Sequence, residues 1–308
     1  MRTLITTLIL IVFLCIGTSN GQNNQTRLVY KWSAPKDISS FPAVLVLGGS
    51  EGGLNWAEKW IALLNSKGFG VMALAYFGVS GVSEELEEIP IEYFQNAIDT
   101  MKSFKGVDKS KIAVICNSKG TEAGLLLAIQ DKSIKLVLAS SPSHVVWQCV
   151  NRENYMSSKS SWTIGGAPIP FVTYDYSKGY FPIINFYQGP IENPIDEKAL
   201  IKIEDIKAKV VLFSGGKDQI WPSTEMANRL KKRAEEKKRK TDVLIYNFQD
   251  AGHGFLNPYQ TDDEKRNILL RIKSAMTVFG GTIEAYENAM IKSLEITLNE
   301  LENLKNNP

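Results

Sequence analysis

Short apolar runs recur along the chain, separated by stretches with a different period. Ala43–Leu47 reads AVLVL, Gly70–Tyr76 GVMALAY, Ile112–Cys116 IAVIC and Ile134–Ala139 IKLVLA; Val210–Phe213 and Val243–Phe248 repeat the form. Continuous β-branched runs of this length predict strands buried on both faces, since a strand with one wet face would alternate. Leu28–Trp32 is a shorter strand-like stretch. Between the runs the spacing turns helical, over Trp56–Ser66, Ile91–Phe104, Gly120–Gln130 and Ser223–Lys237. Gly68 lies just past the first of these ends, and Ser223 is a candidate cap for the last helix. Two more helices close the chain. The final one carries Ile283, Tyr286, Met290, Leu294, Leu298, Leu301 and Leu304 on one face, a stripe expected to pack on the core.

Alternating apolar strands and helices predict an α/β fold, with a mostly parallel central sheet and helices on both faces. Crossovers between parallel strands are right-handed, and the C-terminal edge of such a sheet carries the site. The alternation pauses once. Ser143–Pro194 is rich in Tyr, Trp, Gly, Pro and Ser and too long for an ordinary connection, so it reads as a cap-like insertion after the strand at 134–139.

Candidate chemistry follows the strands. Cys116 leads into Asn117-Ser118-Lys119-Gly120, a strand-to-helix turn of the nucleophile-elbow kind, which would expose Ser118 Oγ above the sheet edge. The usual elbow has Gly two positions before the nucleophile; Cys116, also small, stands there instead. Serine needs a base, and the chain has two histidines. His253, in Ala251-Gly252-His253-Gly254, follows the last strand, whereas His144 opens the irregular segment. A base needs a carboxylate to hold its tautomer. Asp218 follows the penultimate strand in Ser214-Gly215-Gly216-Lys217-Asp218; Asp250 is a rival on His253's own loop. The order Ser118, Asp218, His253, each after its own strand, is that of the α/β-hydrolase fold. The loop Gly48-Gly49-Ser50-Glu51-Gly52-Gly53 lies where that fold places its second oxyanion donor, so the backbone N–H groups of Lys119 and of a residue near Ser50 are the expected pair. No Gly-Lys-Ser/Thr ending makes this loop a phosphate cradle. Trp147 and Trp221 are candidate substrate contacts, within an aromatic wall that the insertion would supply at the entrance.

At these residues the chain resembles the C-terminal catalytic domain of the acyl-CoA thioesterase and bile acid-CoA:amino acid N-acyltransferase family. The matching stretches are Leu47–Gly53 (LGGSEGG), Leu74–Phe77 (LAYF), Ile89–Phe94 (IPIEYF), Ser118–Gly120 (SKG), Gly216–Pro222 (GKDQIWP) and Gly252–Tyr259 (GHGFLNPY). The resemblance implies acyl-thioester chemistry, with Ser118, Asp218 and His253 as nucleophile, acid and base. The acyltransferase branch uses Cys as nucleophile, so Ser118 favours hydrolysis over transfer. The family's animal members carry an N-terminal β-sandwich, for which Gln22–Pro42 is too short. An exported carboxylesterase or peptidase of the dienelactone-hydrolase type, and a non-catalytic binding protein on the same fold, are the competing expectations.

Composition bounds the size of the domain, its partners, its compartment and the state of its cysteines. The 308 residues suit one large domain, expected over 22–308. Thirty-five Lys and Arg against 33 Asp and Glu leave a net charge of +2, which gives no case for nucleic acid. The expected partner is a small acyl ester or thioester, with no metal or other cofactor. Arg2, the apolar run Leu4–Ile16 and the small residues Ser19 and Gly21 read as a signal peptide over 1–21, cleaved before Gln22. The run is short of the ~20 residues that a membrane span needs. A secreted or periplasmic protein is therefore expected, with anchoring by an uncleaved segment as the alternative; export would also separate it from CoA. Of the three cysteines, Cys15 would leave with the signal, and Cys116 and Cys149 are expected to remain unpaired.

Overall fold

The computed structural model describes residues 27–306, so the expected signal peptide, its cleavage point and Cys15 lie outside the described residues. Seven strands form the main sheet: β1 (Val29–Ser33), β2 (Phe41–Leu47), β3 (Gly70–Ala75), β5 (Val107–Asn117), β6 (Ile134–Ser140), β9 (Lys209–Gly215) and β10 (Val243–Phe248). Their order is β1-β3-β2-β5-β6-β9-β10, with every pairing parallel except β1 against β3. This is the α/β-hydrolase arrangement expected from the sequence. A three-stranded sheet of β4 (Ile89–Pro90), β7 (Trp162–Ile164) and β8 (Ala167–Pro168) stands beside it.

Strand periodicity divides the core into two layers. Ala43, Leu45 and Leu47 of β2, with Val114 and Cys116 of β5, face helices α2 (Ile91–Ser103), α3 (Lys119–Gln130) and α5 (Ser223–Glu236). Val44, Val46, Ala113 and Ile115 face the other way, onto α1 (Trp60–Ser66), α6 (Asp262–Phe279) and α7 (Ile283–Asn306). Tyr286, Met290, Leu294 and Leu301 of the α7 stripe are buried there. Because both faces are covered, the central strands read as unbroken apolar runs. Among the described residues, no helix is long and apolar enough to cross a membrane.

Between β6 and β9 the chain leaves the sheet for residues 141–208, a wider excursion than composition predicted. It holds β7, β8 and α4 (Asn185–Glu192). Val145, Trp147, Tyr187 and Ile191 pack with Trp221 and Met226 into a third apolar cluster. The excursion grips three parts of the sheet edge. Arg152 donates to the Ser50 carbonyl, the Ser143 amide donates to Thr121 Oγ1 (3.3 Å), and Ser141 Oγ accepts from the Gly254 amide (3.1 Å).

Candidate active site

Strand β5 ends at Asn117 and α3 begins at Lys119, so Ser118 alone makes the turn. Its backbone sits at φ 51°, ψ −127°, in a region that L side chains rarely enter. The Ser118 amide donates to Ser140 of β6 (2.9 Å), and its carbonyl accepts from both the amide and hydroxyl of Thr121 (2.8 and 2.7 Å). Those bonds hold the strained turn in place. Two glycines let α3 pass close to the sheet. A side-chain carbon on Gly120 would collide with the Gly48 carbonyl oxygen, and one on Gly124 would lie 2.8 Å from Cys116 Sγ. The missing glycine at 116 is thus offset on the helix, where Gly124 supplies the clearance.

Ser118 Oγ lies 2.8 Å from His253 Nε2, and His253 Nδ1 lies 2.8 Å from Asp218 Oδ2. All three residues are buried, at 5%, 6% and 4% exposure, so their contacts work in a low dielectric. Asp218 is fixed by its second oxygen: Oδ1 accepts from the amides of Ile220 (2.9 Å) and Trp221 (3.2 Å). The His253 amide donates to Phe279 at the end of α6 (2.9 Å), and the Trp221 ring stands edge-on to the imidazole at 5.9 Å. The rivals are elsewhere. Asp250 is exposed and accepts no bond from His253. His144 is buried, and neither ring nitrogen finds a partner among the described residues. Burial, reinforced by the Arg229 charge, holds its pKa down to about 3. It is a neutral core residue in a cavity wall that also carries Arg229.

Lys119 opens α3, and amides in a helix's first turn have no partner inside the helix. The opposing loop is held by Tyr76, whose hydroxyl donates to the Gly48 and Gly49 carbonyls (2.6 and 3.2 Å). The Gly49 amide donates to Glu51 Oε1 at 2.9 Å.

Several sequence expectations need correcting. Trp147 and Trp221 are 0% and 1% exposed, so neither presents ring surface to a ligand in this conformation. Trp221 instead backs His253 and donates Nε1 to the Ser141 carbonyl (3.2 Å). The aromatic wall splits likewise: Trp147 and Trp162 are core, whereas Tyr155, Tyr180 and Phe181 are largely exposed. Ser223 caps nothing; Pro222 holds the N-cap position, and Ser223 Oγ accepts from the Gly215 amide (3.3 Å). Cys116 and Cys149 are, as expected, both free and buried, and burial pushes the Cys116 thiol far up. Sequence reading also missed Glu122, fully buried one turn into α3. The available signal was a carboxylate three residues after Lys119 in a helix otherwise rich in Ala and Leu.

A profile described as BAAT / acyl-CoA thioester hydrolase C terminal matches residues 89–302. Among curated proteins, acyl-coenzyme A thioesterase 1 of Mus musculus is 30% identical over 249 residues, covering 80% of this chain and 56% of its own length. Acyl-coenzyme A thioesterase 1 of Homo sapiens is 28% identical over 232 residues, covering 73% and 51%. The chain thus spans about half the length of the curated relatives it matches. Among solved structures, a dienelactone hydrolase-like promiscuous phosphotriesterase from metagenomic libraries superposes with a TM-score of 0.54 at 15% identity, covering 91% of this chain and 94% of that one. Pyrococcus horikoshii acylaminoacyl peptidase gives 0.56 at 14%, covering 91% and 40%. At such identities these two superpositions speak for the fold alone.

Proposed function

The chain belongs to the BAAT / acyl-CoA thioester hydrolase C-terminal family, and from that premise we propose that it is a serine hydrolase cleaving an acyl thioester or carboxylic ester through an acyl-serine intermediate. The observation that carries this reading is the unbroken path Ser118 Oγ–His253 Nε2, His253 Nδ1–Asp218 Oδ2, at 2.8 Å in both steps. His253 takes the Ser118 proton as Oγ attacks the acyl carbonyl. The resulting oxyanion is met by the Lys119 amide and an amide of the loop around Ser50, and the positive end of α3 points the same way. His253 then gives its proton to the departing thiolate or alkoxide. Water, deprotonated by the same imidazole, attacks the acyl-serine and releases the acid. Asp218 stays ionised and supports the imidazolium at both stages. A hydroxyl nucleophile at 118 supports hydrolysis over transfer to an amine.

The test is fluorophosphonate labelling, followed by a substrate panel of acyl thioesters, p-nitrophenyl esters and aminoacyl amides, each with Ser118→Ala alongside. The expected result is labelling confined to the wild type, with thioesters or esters turned over. Labelling of neither protein would sink the enzyme reading in favour of a binding protein, and turnover of amides alone would make it a peptidase.

A further inference from the structure

The first turn of α3 buries an ion pair that the reaction above does not use. Lys119 and Glu122 side chains are 2% and 0% exposed, and Lys119 Nζ meets Glu122 Oε1 at 2.8 Å. Burial pushes Lys119 down and Glu122 up from their ordinary pKa values, while their mutual attraction opposes both shifts. Removing two charges from water is costly, and well-packed apolar residues often fill such a site with no loss of stability. The pair therefore needs a reason other than packing.

Its remaining polar contacts supply one, because all of them run to the excursion. Glu122 Oε2 accepts from Trp162 Nε1 (2.9 Å) and from the Trp147 amide (3.1 Å). Lys119 Nζ donates to the carbonyls of Trp147 (3.4 Å) and Gln148 (3.3 Å), and lies 6.0 Å from the centre of the Trp162 ring. Trp147, Gln148 and Trp162 are the inner, buried layer of that segment. At its other end the pair begins on the residue directly after Ser118, whose backbone amide is the oxyanion donor in the reading above. Charge-assisted hydrogen bonds are shorter and more directional than apolar contacts, so they fix orientation as well as distance.

We propose that Lys119 and Glu122 form a positioning pair, which fixes the direction of the Lys119 amide beside Ser118 and mounts the inner layer of the excursion on the nucleophile turn. This rests on the serine-hydrolase reading. Neither side chain touches substrate; both act through the backbone and through Trp147 and Trp162. The pair accordingly stabilises the transition state more than it binds the ground state, so its loss lowers kcat with little change in KM.

The experiment compares wild type with the double variant Lys119→Met/Glu122→Gln. Both side chains keep their size and both charges go. The carboxamide at position 122 still offers an acceptor to Trp162 and Trp147, and Ser161 Oγ still donates to the carbonyls of Trp147 and Gln148 (3.0 and 3.1 Å). The expected result is a Tm close to wild type, a kcat on p-nitrophenyl butyrate about 10- to 100-fold lower, and a KM within roughly threefold, in the range seen when one oxyanion donor is weakened. Fluorophosphonate labelling should slow in proportion. A folded double variant with kcat within about threefold of wild type overturns the proposal. Trp162→Phe guards against misfolding, since it removes a single donor to Glu122; kcat should fall roughly three- to tenfold at constant KM, and wild-type kcat there overturns the proposal too. A wild type that neither turns over nor labels at Ser118 removes the hydrolase reading, and the positioning role with it. Active wild type with undiminished variants removes only the latter.

Discussion

Replacing Asp218 by Asn tests the reaction at its least visible member. The two oxygens of Asp218 are not equivalent. Oδ1 accepts from the amides of Ile220 and Trp221, and Oδ2 faces His253 Nδ1. An asparagine must keep its one acceptor against those two backbone donors, because turning it around would set its NH2 against both. Its NH2 therefore points at His253 Nδ1, which must then accept. The imidazole proton moves to Nε2, toward Ser118, and the ring can no longer take the hydroxyl proton. A wrong tautomer in an intact site costs about 10⁴ in kcat, or roughly 5.5 kcal/mol of barrier. Stability should barely change, because the two backbone bonds survive. The assay is kcat/KM on p-nitrophenyl butyrate with the thermal midpoint measured in parallel, and Asp250→Asn as an exposed control that keeps full activity. A loss under about tenfold for Asp218→Asn with the fold intact would refute the reasoning, as would an equal loss in the control.

Two further outcomes follow from the same geometry. His144 stays neutral in the fold down to about pH 3, whereas the unfolded chain takes up a proton below its ordinary value of 6.5. The unfolded state binds more protons in that window, so stability is complete above 6.5 and drains as pH falls toward 3, by roughly 3 kcal/mol between about pH 7 and about pH 4.5. His144→Leu should flatten that slope in urea titrations and, since neither ring nitrogen has a partner among the described residues, should not destabilise at neutral pH. Gly120→Ala forces its methyl onto the Gly48 carbonyl, and should cost ~3 kcal/mol or more and abolish fluorophosphonate labelling, as read by calorimetry and gel fluorescence.

The sheet was legible because its strands are covered on both faces, which leaves unbroken apolar runs. The start of β5 was not: there only Val107 pairs, with Phe41 of β2, and Asp108, Lys109 and Ser110 fall in a register break before Ile112 and interrupt the apolar pattern. Nor were the two-residue strands β4 and β8, too short to carry a period; β4 finds its partner β7 far along the chain. Ser118, Asp218 and His253 were legible by position, since each follows a strand and parallel strands bring those ends to one edge. Their contacts lay beyond the sequence. Burial of Trp147 and Trp221, and the charge pair in α3, depend on how 141–208 folds back, and no local pattern encodes that.

Cys116 and Gly124 meet across the strand–helix interface, and neither can be exchanged without regard to the other. Starting from this chain, a methyl at 124 arrives first against the sulfur, 2.8 Å away, whereas trimming 116 to glycine first opens the room that the methyl then fills. Only one order of substitution is passable. A library that varies 124 alone will therefore report intolerance, while one that varies 116 and 124 together will find functional pairs, and the deviation at 116 becomes one half of an epistatic couple inside this strand–helix turn.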